Sequence, residues 1–504
     1  MQELLQNDTV FLILILLFPL RWESVRMSFS NRGGFIGMEQ VFMKKRKQKK
    51  PMSATKKVAF SFMVVIFVGS ILLSMPFANK INPQPYIDNL FVSTSAVCVT
   101  GLTPLVLIDQ YNLFGQLVVM VLIQIGGLGF LTFLYLALFL ARKKISLKNK
   151  MVFTEALNQD NLIELPRLLK TIFFYTLTIE IIGAILFSIV FVKDYGWVRG
   201  IYYGIWHSVS GFCNAGFDLV GSKSMIPYQT NPVINFVIPF LIIMGGIGFI
   251  VILDIHDKVK AELNRRARFS FRRLFKTFAL HTKIVLIMTI TLLLTGTALF
   301  MFFEYNNAGT IAHMTFGQKL AVSFFQSTTT RTAGFSSVDM YSLNRITKII
   351  MCILMFIGGS PASTAGGIKT VTFALVLLML RSVYRGKEET YVFNRRLKKR
   401  LMLRAFSIFA ISLTICLAAC MILTITEPKV DFLNIAMEVF SAFGTVGLSA
   451  SVTPALSFAG KVVDILLMYT GRIGPVTMMI LFTTRSQGEG GRELGYPDED
   501  VLVG

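Results

Sequence analysis

The sequence predicts an all-α polytopic membrane protein built from four tandem repeats. Each repeat is a spanning helix (M1), a short pore helix and a second spanning helix (M2), and the repeats stand with pseudo-fourfold symmetry around one pore. Eight spanning helices and four re-entrant loops follow. Three observations carry this prediction. The first is composition: the 504 residues are 54% hydrophobic and only 15% charged, with a mean hydropathy of +0.63, as for a chain whose solvent is largely lipid. The second is charge. The net +22 falls in short runs between apolar stretches, KKRKQKK at 44–50, RKK at 142–144, RRARFSFRRLFK at 265–276 and RRLKKR at 395–400. That is the positive-inside pattern and not a nucleic-acid face. The third is repetition: two glycine marks recur four times in one register.

In chain order, residues 1–54 read as an N-terminal extension, cytoplasmic or dispensable, whose apolar run at 10–20 (VFLILILLFPL) is too short to span. A signal-like element and an upstream start are both open readings of it. Repeat 1 (55–145) brackets its loop with spans at about 58–76 and 113–140, and repeat 2 (146–256) with spans at about 170–192 and 231–254. Repeat 3 (257–385) uses about 283–303 and 347–380, repeat 4 (386–485) about 402–425 and 459–483, and 486–504 form a C-terminal tail. The basic runs all precede a first span or follow a second, so both termini face the cytoplasm of a cell membrane crossed many times, and each loop dips in from outside.

The first mark reads CVTGL at 98–102, CNAGF at 213–217, RTAGF at 331–335 and GTVGL at 444–448; its glycines, Gly101, Gly216, Gly334 and Gly447, are 115, 118 and 113 residues apart. Each follows a stretch of about a dozen moderately amphipathic residues, too short to cross. An echo follows 24 to 29 residues later: GGLG at 126–129, GGIG at 245–248, GGSP at 358–361 and GRIG at 471–474. A single small-x-glycine triplet would be ordinary helix packing. Four in register are not.

Non-helical backbone survives at membrane depth only where protein or a water-filled path surrounds it. Four glycine loops converging on one axis would present rings of backbone carbonyls, which replace the hydration shell of an alkali cation without the grip of a full carboxylate charge. Glycine fits there because it adopts backbone angles closed to other residues and blocks nothing. Each pore helix would aim its negative C-terminal end at the ion. In the third repeat the echo is longer: MFIGGSPASTAGGIK at 355–369 breaks what would otherwise be one helix.

Other chemistries find little support. Five cysteines (Cys98, Cys213, Cys352, Cys416, Cys420) lack metal spacing, and no P-loop or dinucleotide fingerprint accompanies the spans. An intramembrane enzyme would need a nucleophile and a base, yet His207, His256, His281 and His313 show no such pairing. A secondary transporter with broken helices, carrying another small cation or solute, is the stronger rival, although such folds usually show two inverted repeats. Cys98 and Cys213 read as small packing residues. Arg331 needs an acid partner, for which Glu438 is the candidate, or else it snorkels to the surface.

From about residue 55 onward the chain resembles the Trk/Ktr/HKT superfamily of potassium transporters, and within it the membrane subunits of bacterial Ktr systems. QIGGLGF, ALNQ, NAGF, RTAGF, SAFGTVGL, GRIGP and the terminal YPDEDVLVG carry the resemblance. It implies a potassium selectivity filter made by backbone carbonyls alone, from Val99, Thr100 and Gly101, Asn214, Ala215 and Gly216, Thr332, Ala333 and Gly334, and Thr445, Val446 and Gly447. Glycine in all four loops implies potassium over sodium. The broken segment becomes an intramembrane gating loop of Gly358, Gly359, Ser360, Pro361, Ala362, Ser363, Thr364, Ala365, Gly366 and Gly367, with Arg472 as its contact and as a pore barrier. The resemblance also implies a homodimer, with the tail in its interface, under a cytoplasmic ring of RCK subunits that bind ATP and ADP. The chain itself would hold no cofactor, touch membrane lipid and no nucleic acid, and its flux could be sodium-dependent.

Overall fold

The computed structural model describes residues 54–82, 84–129, 165–264, 269–387, 389–475 and 477–478. The N-terminal extension, ALNQ and the YPDEDVLVG tail therefore lie outside the described residues.

The described chain is helical apart from a two-residue antiparallel pair, Tyr391–Val392 with Arg395–Arg396. Helix α1 (Ala54–Ser74) leads to pore helix α2 (Tyr86–Cys98), a turn of helix α3 (Leu107–Gln110) and α4 (Leu113–Leu128). In the second repeat α5 (Leu165–Phe212) precedes α6 (Pro232–Gly246) and α7 (Phe249–Leu263). After α8 (Phe271–Thr277), the third repeat has α9 (Leu280–Glu304), pore helix α10 (Phe316–Thr329), α11 (Arg345–Phe356) and α12 (Thr370–Tyr384). The fourth has α13 (Lys399–Thr426), pore helix α14 (Phe432–Gly444) and α15 (Phe458–Ile473).

Among the described residues, four helices are long and apolar enough to span, Lys56–Ser74, Leu169–Phe212, Leu280–Glu304 and Lys399–Thr426; a fifth span results if α6 and α7, bent by 93°, count as one. These are the expected first spans plus the second span of repeat 2. Of the other expected second spans, α11 stops at the break after Phe356, and α4 and α15 end at Leu128 and Ile473, each before a left-handed glycine, Gly129 and Gly474.

Lipid and core faces separate as the pattern requires. On α1, Phe60, Met63, Val64, Phe67, Val68 and Ile71 are exposed in a stripe at helical spacing, while Ala59, Phe62, Ile66 and Leu73 are buried. With no hydrophobic force between helices in lipid, small residues and hydroxyls do the joining. Ser93 donates to the Ile66 carbonyl at 2.7 Å, Ser208 to Glu180 at 2.6 Å and Ser327 to Leu293 at 2.9 Å. Opposite them sit Gly69, Gly183 and Gly296, where any Cβ would collide with the serine hydroxyl. The same device thus docks the pore helix on the first helix in three repeats.

In repeat 2 the range given for α5 holds two helices, a span and a pore stretch, which meet at Gly196 (φ 76°, ψ 172°), a non-helical residue where the chain reverses. Gly200 then lies against Val192 and Gly204 against Ser188, so glycines set the closeness of this hairpin. The second helices begin alike: Asn112 accepts from Gly115 N–H, Asn231 from Val233 and Ile234, and Ser457 from Gly460, satisfying first-turn donors.

Candidate functional site: a ring of four glycines and the loop beneath it

Each pore helix ends in a left-handed residue that turns the chain out of the helix: Val99 (φ 58°), Asn214 (φ 60°), Thr332 (φ 69°) and Thr445 (φ 51°). Two residues on comes a glycine that is again left-handed, Gly101 (φ 96°), Gly216 (φ 69°), Gly334 (φ 82°) and Gly447 (φ 97°). The first place bears a side chain despite a cost of about 1–2 kcal/mol in this region, so glycine at the second place answers to space as well, since a Cβ there would meet a backbone oxygen of another repeat.

The four segments close a cycle. A Cβ on Gly101 would face the Ala215 carbonyl oxygen, one on Gly216 that of Ala333, one on Gly334 that of Val446, and one on Gly447 that of Thr100, each closer than 3.0 Å. Each repeat therefore packs its glycine on the middle carbonyl of the next, and the fourth returns to the first. The twelve residues expected to act together, Val99 to Gly101, Asn214 to Gly216, Thr332 to Gly334 and Thr445 to Gly447, form this one ring, all buried except for partly exposed Gly101 and Gly447. Ser95 and Ser441 brace it by accepting from Gly101 N–H and Gly447 N–H, both at 3.0 Å.

A cavity of about 350 Å³ opens on one side of the ring, bounded by the four glycines and by Asp218, Lys223 and Asp339 among others. Burial pushes the Asp218 carboxyl up to about 6, although N–H groups of Gly221 and Val220 and the Ser224 hydroxyl favour its ionised form.

The other side of the ring carries the broken segment. Residues 357 and 368 form a parallel bridge, with Gly358 N–H donating to the Ile368 carbonyl at 2.8 Å, so Gly358 to Gly367 is a loop pinched at its neck. Its flanks reach two other repeats. Ser360 N–H donates to the Gly246 carbonyl at 3.0 Å, Thr364 N–H to Gly245 at 3.3 Å, and Phe249 N–H to the Ala362 carbonyl at 2.8 Å. Gly366 packs on the Thr445 side chain, and Gly367 lies beside the Gly444 carbonyl. The loop thus spans from the second repeat to the fourth under the ring. Its hydroxyls are all engaged: Ser363 donates to the Ser360 carbonyl within the loop, Ser360 pairs with the Thr370 hydroxyl just beyond it, and Thr364 donates to Phe212 of the second repeat. Pro361 and Ala362 lie beside Gly248, and Lys369 donates to the Ala365 carbonyl at 2.6 Å.

Arg472 ties the layers together. Its guanidinium donates to the Thr364 carbonyl on the loop and to the Gly126 and Gly127 carbonyls of the first repeat. One fixed cation from repeat 4 therefore holds repeats 1 and 3, as the rigid fork of an arginine permits.

Arg331 does not meet Glu438. The acid accepts from the hydroxyls of Ser449 and Thr453, while Arg331 is 6% exposed and its Nε has no hydrogen-bond partner. Neither the ion pair nor the snorkelling side chain is present, because Glu438 braces its own repeat. His207, at the same distance before its ring glycine as Glu438, accepts from Leu219 N–H on Nε2 at 3.4 Å, and Gln326, one residue off that register, donates to Ser337 at 3.0 Å. Sequence reasoning missed these braces, and also Glu304, which accepts from Asn307, Thr310, Asn344 N–H and Thr347. Glu438 and His207 lie nine residues before Gly447 and Gly216 and Gln326 eight before Gly334, a spacing legible once the repeats are aligned, while Glu304 closes helix α9. Cys98 and Cys213 are buried free thiols.

Comparison with known proteins places this architecture. A family model described as TrkH, cation transport protein, matches residues 35–489. The potassium/sodium uptake protein NtpJ of Enterococcus hirae is 40% identical over 92% of this chain and 99% of its own. The Ktr system potassium uptake protein B of Bacillus subtilis is 42% identical over 89% of this chain and 96% of its own. A crystal structure of the potassium transporter TrkH from Vibrio parahaemolyticus superposes with a TM-score of 0.66 at 19% identity, covering 87% of both chains, a likeness of fold. The chain belongs to the TrkH family of cation transport proteins.

Proposed function

We propose that this chain is the ion-translocating membrane subunit of a potassium uptake system, and that potassium passes through the ring of Gly101, Gly216, Gly334 and Gly447. The observation that carries the proposal is the cyclic packing of each glycine on the next repeat's carbonyl. Such a ring offers uncharged oxygens that replace water around a dehydrated cation yet release it again. Pore-helix C-termini directed at the ring add a favourable field. The Ktr system relatives named for potassium uptake support the choice of ion, while NtpJ is named for potassium and sodium both.

On this reading the four repeats form one pseudo-fourfold pore with eight spans, and residues 358–367 are its gate. The loop crosses beneath the ring and is held mainly by backbone hydrogen bonds to Gly245, Gly246 and Phe249, contacts that a small shift of the neighbouring helices would break. Arg472 anchors the loop and opposes cation passage by its charge. Control by a cytoplasmic RCK ring carrying ATP or ADP, a homodimeric assembly, sodium dependence and cytoplasmic termini belong to the same proposal.

Rubidium uptake into liposomes holding the purified chain tests it. Uptake competed by potassium and weakly by sodium is expected. Uptake indifferent to potassium would sink the reading, and tight coupling to a sodium gradient would favour the broken-helix secondary transporter.

A further inference from the structure

The four repeats serve as internal controls for one another, and one pair of wall positions departs from the pattern. On the second helix, seven residues before the first glycine of the echo, repeats 1 to 3 carry Val119, Ile238 and Met351, at most 1% exposed. Repeat 4 carries Asp464, which is 0% exposed and has no hydrogen-bond partner on either carboxylate oxygen. Its helix packs on pore helix α14, which carries Glu438, also 0% exposed, and the acids within electrostatic reach are Glu438 and then Glu427. The fold needs no acid here, since three repeats build the same wall from aliphatic side chains.

Other charges nearby are engaged elsewhere. Lys461, on the same helix, pairs with Asp88 of α2. Lys348 of α11 donates to Asn434 and to the Tyr341 carbonyl. Glu427, at the end of α13, accepts from Ser457 N–H at 2.9 Å. Two neighbouring carboxylates without a cation are untenable at this burial. Among the described residues no group of three or more His, Cys, Asp or Glu side chains is arranged to hold a metal ion, and a proton needs only two oxygens. Buried carboxyls held together commonly share one.

We propose that Glu438 and Asp464 hold a single proton between them, a proton site in the wall of the fourth repeat that the other three lack. Through Ser449 and Thr453, which donate to Glu438, that proton stabilises the segment descending from Gly447. Loss of the proton sets two negative charges against each other and loosens the segment, lowering flux. Only this last consequence rests on the ring being the permeation path.

Infrared spectra of the purified full chain at neutral pH test the site itself. A carboxylic-acid carbonyl band that shifts in heavy water should be present in the wild type and lost in the near-isosteric Glu438→Gln/Asp464→Asn double variant. Asp464→Val, which copies Val119, should fold and lack the band as well. Identical spectra for wild type and double variant would overturn the proposal. So would melting of the wild type, but not of the double variant, raised by sodium chloride over choline chloride, since sodium would then be the occupant. In an Asp218→Asn background, rubidium flux should fall toward alkaline pH with the pair intact and stay flat in the double variant; superimposable profiles would refute the coupling to flux.

Discussion

Gly334→Ser puts the ring to a direct test. The position has φ 82°, and a Cβ there would stand 2.6 Å from the Val446 carbonyl oxygen, 3.1 Å from the Gly216 Cα and 3.2 Å from the Gly447 Cα. A side chain in left-handed backbone costs about 1–2 kcal/mol, and overpacking of a close-packed site about 1–3 kcal/mol more. The sum, about 2–5 kcal/mol, is relieved most directly by moving the Val446 carbonyl out of the ring. At ~1.4 kcal/mol per decade in affinity, even the lower figure corresponds to more than tenfold in relative cation binding. The assay is rubidium uptake in proteoliposomes with potassium or sodium as competitor, where sodium should gain strongly. Gly317→Ser is the control, because a Cβ there meets nothing within 4 Å. Unchanged potassium-over-sodium preference in Gly334→Ser, with the protein folded, would show that the ring does not select.

Further expectations concern the loop, the vestibule and the scaffold. Arg472→Ala frees the Thr364 and Gly126 carbonyls and removes a fixed charge, so basal rubidium flux should rise; deletion of 360–365 should raise it too and blunt any response to nucleotide. Asp218 is ionised above about 6 and neutral below, so the apparent affinity for potassium should drop as external pH falls through that value, and Asp218→Asn should flatten the profile. The same carboxyl favours the fold below about pH 4, its unfolded range, and that contribution is lost as pH rises through about 6. Glu304→Ala strands four donors on Asn307, Thr310, Asn344 and Thr347; the cost should be about 3 kcal/mol or more, read as a lower melting temperature in detergent with Glu304→Gln milder.

The ring positions were legible because glycine is a backbone requirement written as a residue: left-handed angles at Gly101, Gly216, Gly334 and Gly447 leave little choice of side chain. The break after Phe356 was legible for the same reason. The echo held a second requirement, left-handed glycines at Gly129, Gly248 and Gly474, with Pro361 in their place in repeat 3 and the positive φ passed to Ala362 (φ 53°). Side-chain partnerships were less legible. Arg331 and Glu438 belong to neighbouring repeats but make no contact, and Glu438 is taken up by Ser449 and Thr453 of its own repeat. Glu304 and Glu427 sit at the ends of apolar helices and look like solvated charges, yet each accepts a backbone N–H at the start of its repeat's second helix, beyond the pore helix, from Asn344 and Ser457. The reversal at Gly196 falls between the span expected at about 170–192 and the pore stretch before CNAGF, although no single residue in the sequence marks it. Span count suffered likewise: hydropathy runs straight through the 93° bend after Gly246.

The claim that cations bind on the axis of the four glycines is tested most directly by anomalous diffraction from crystals of the full chain grown in rubidium. The expected result is an anomalous peak on the ring axis within coordination distance of the Thr100, Ala215, Ala333 and Val446 carbonyls, lost when sodium replaces rubidium. Rubidium density elsewhere in the protein with none on that axis would contradict it.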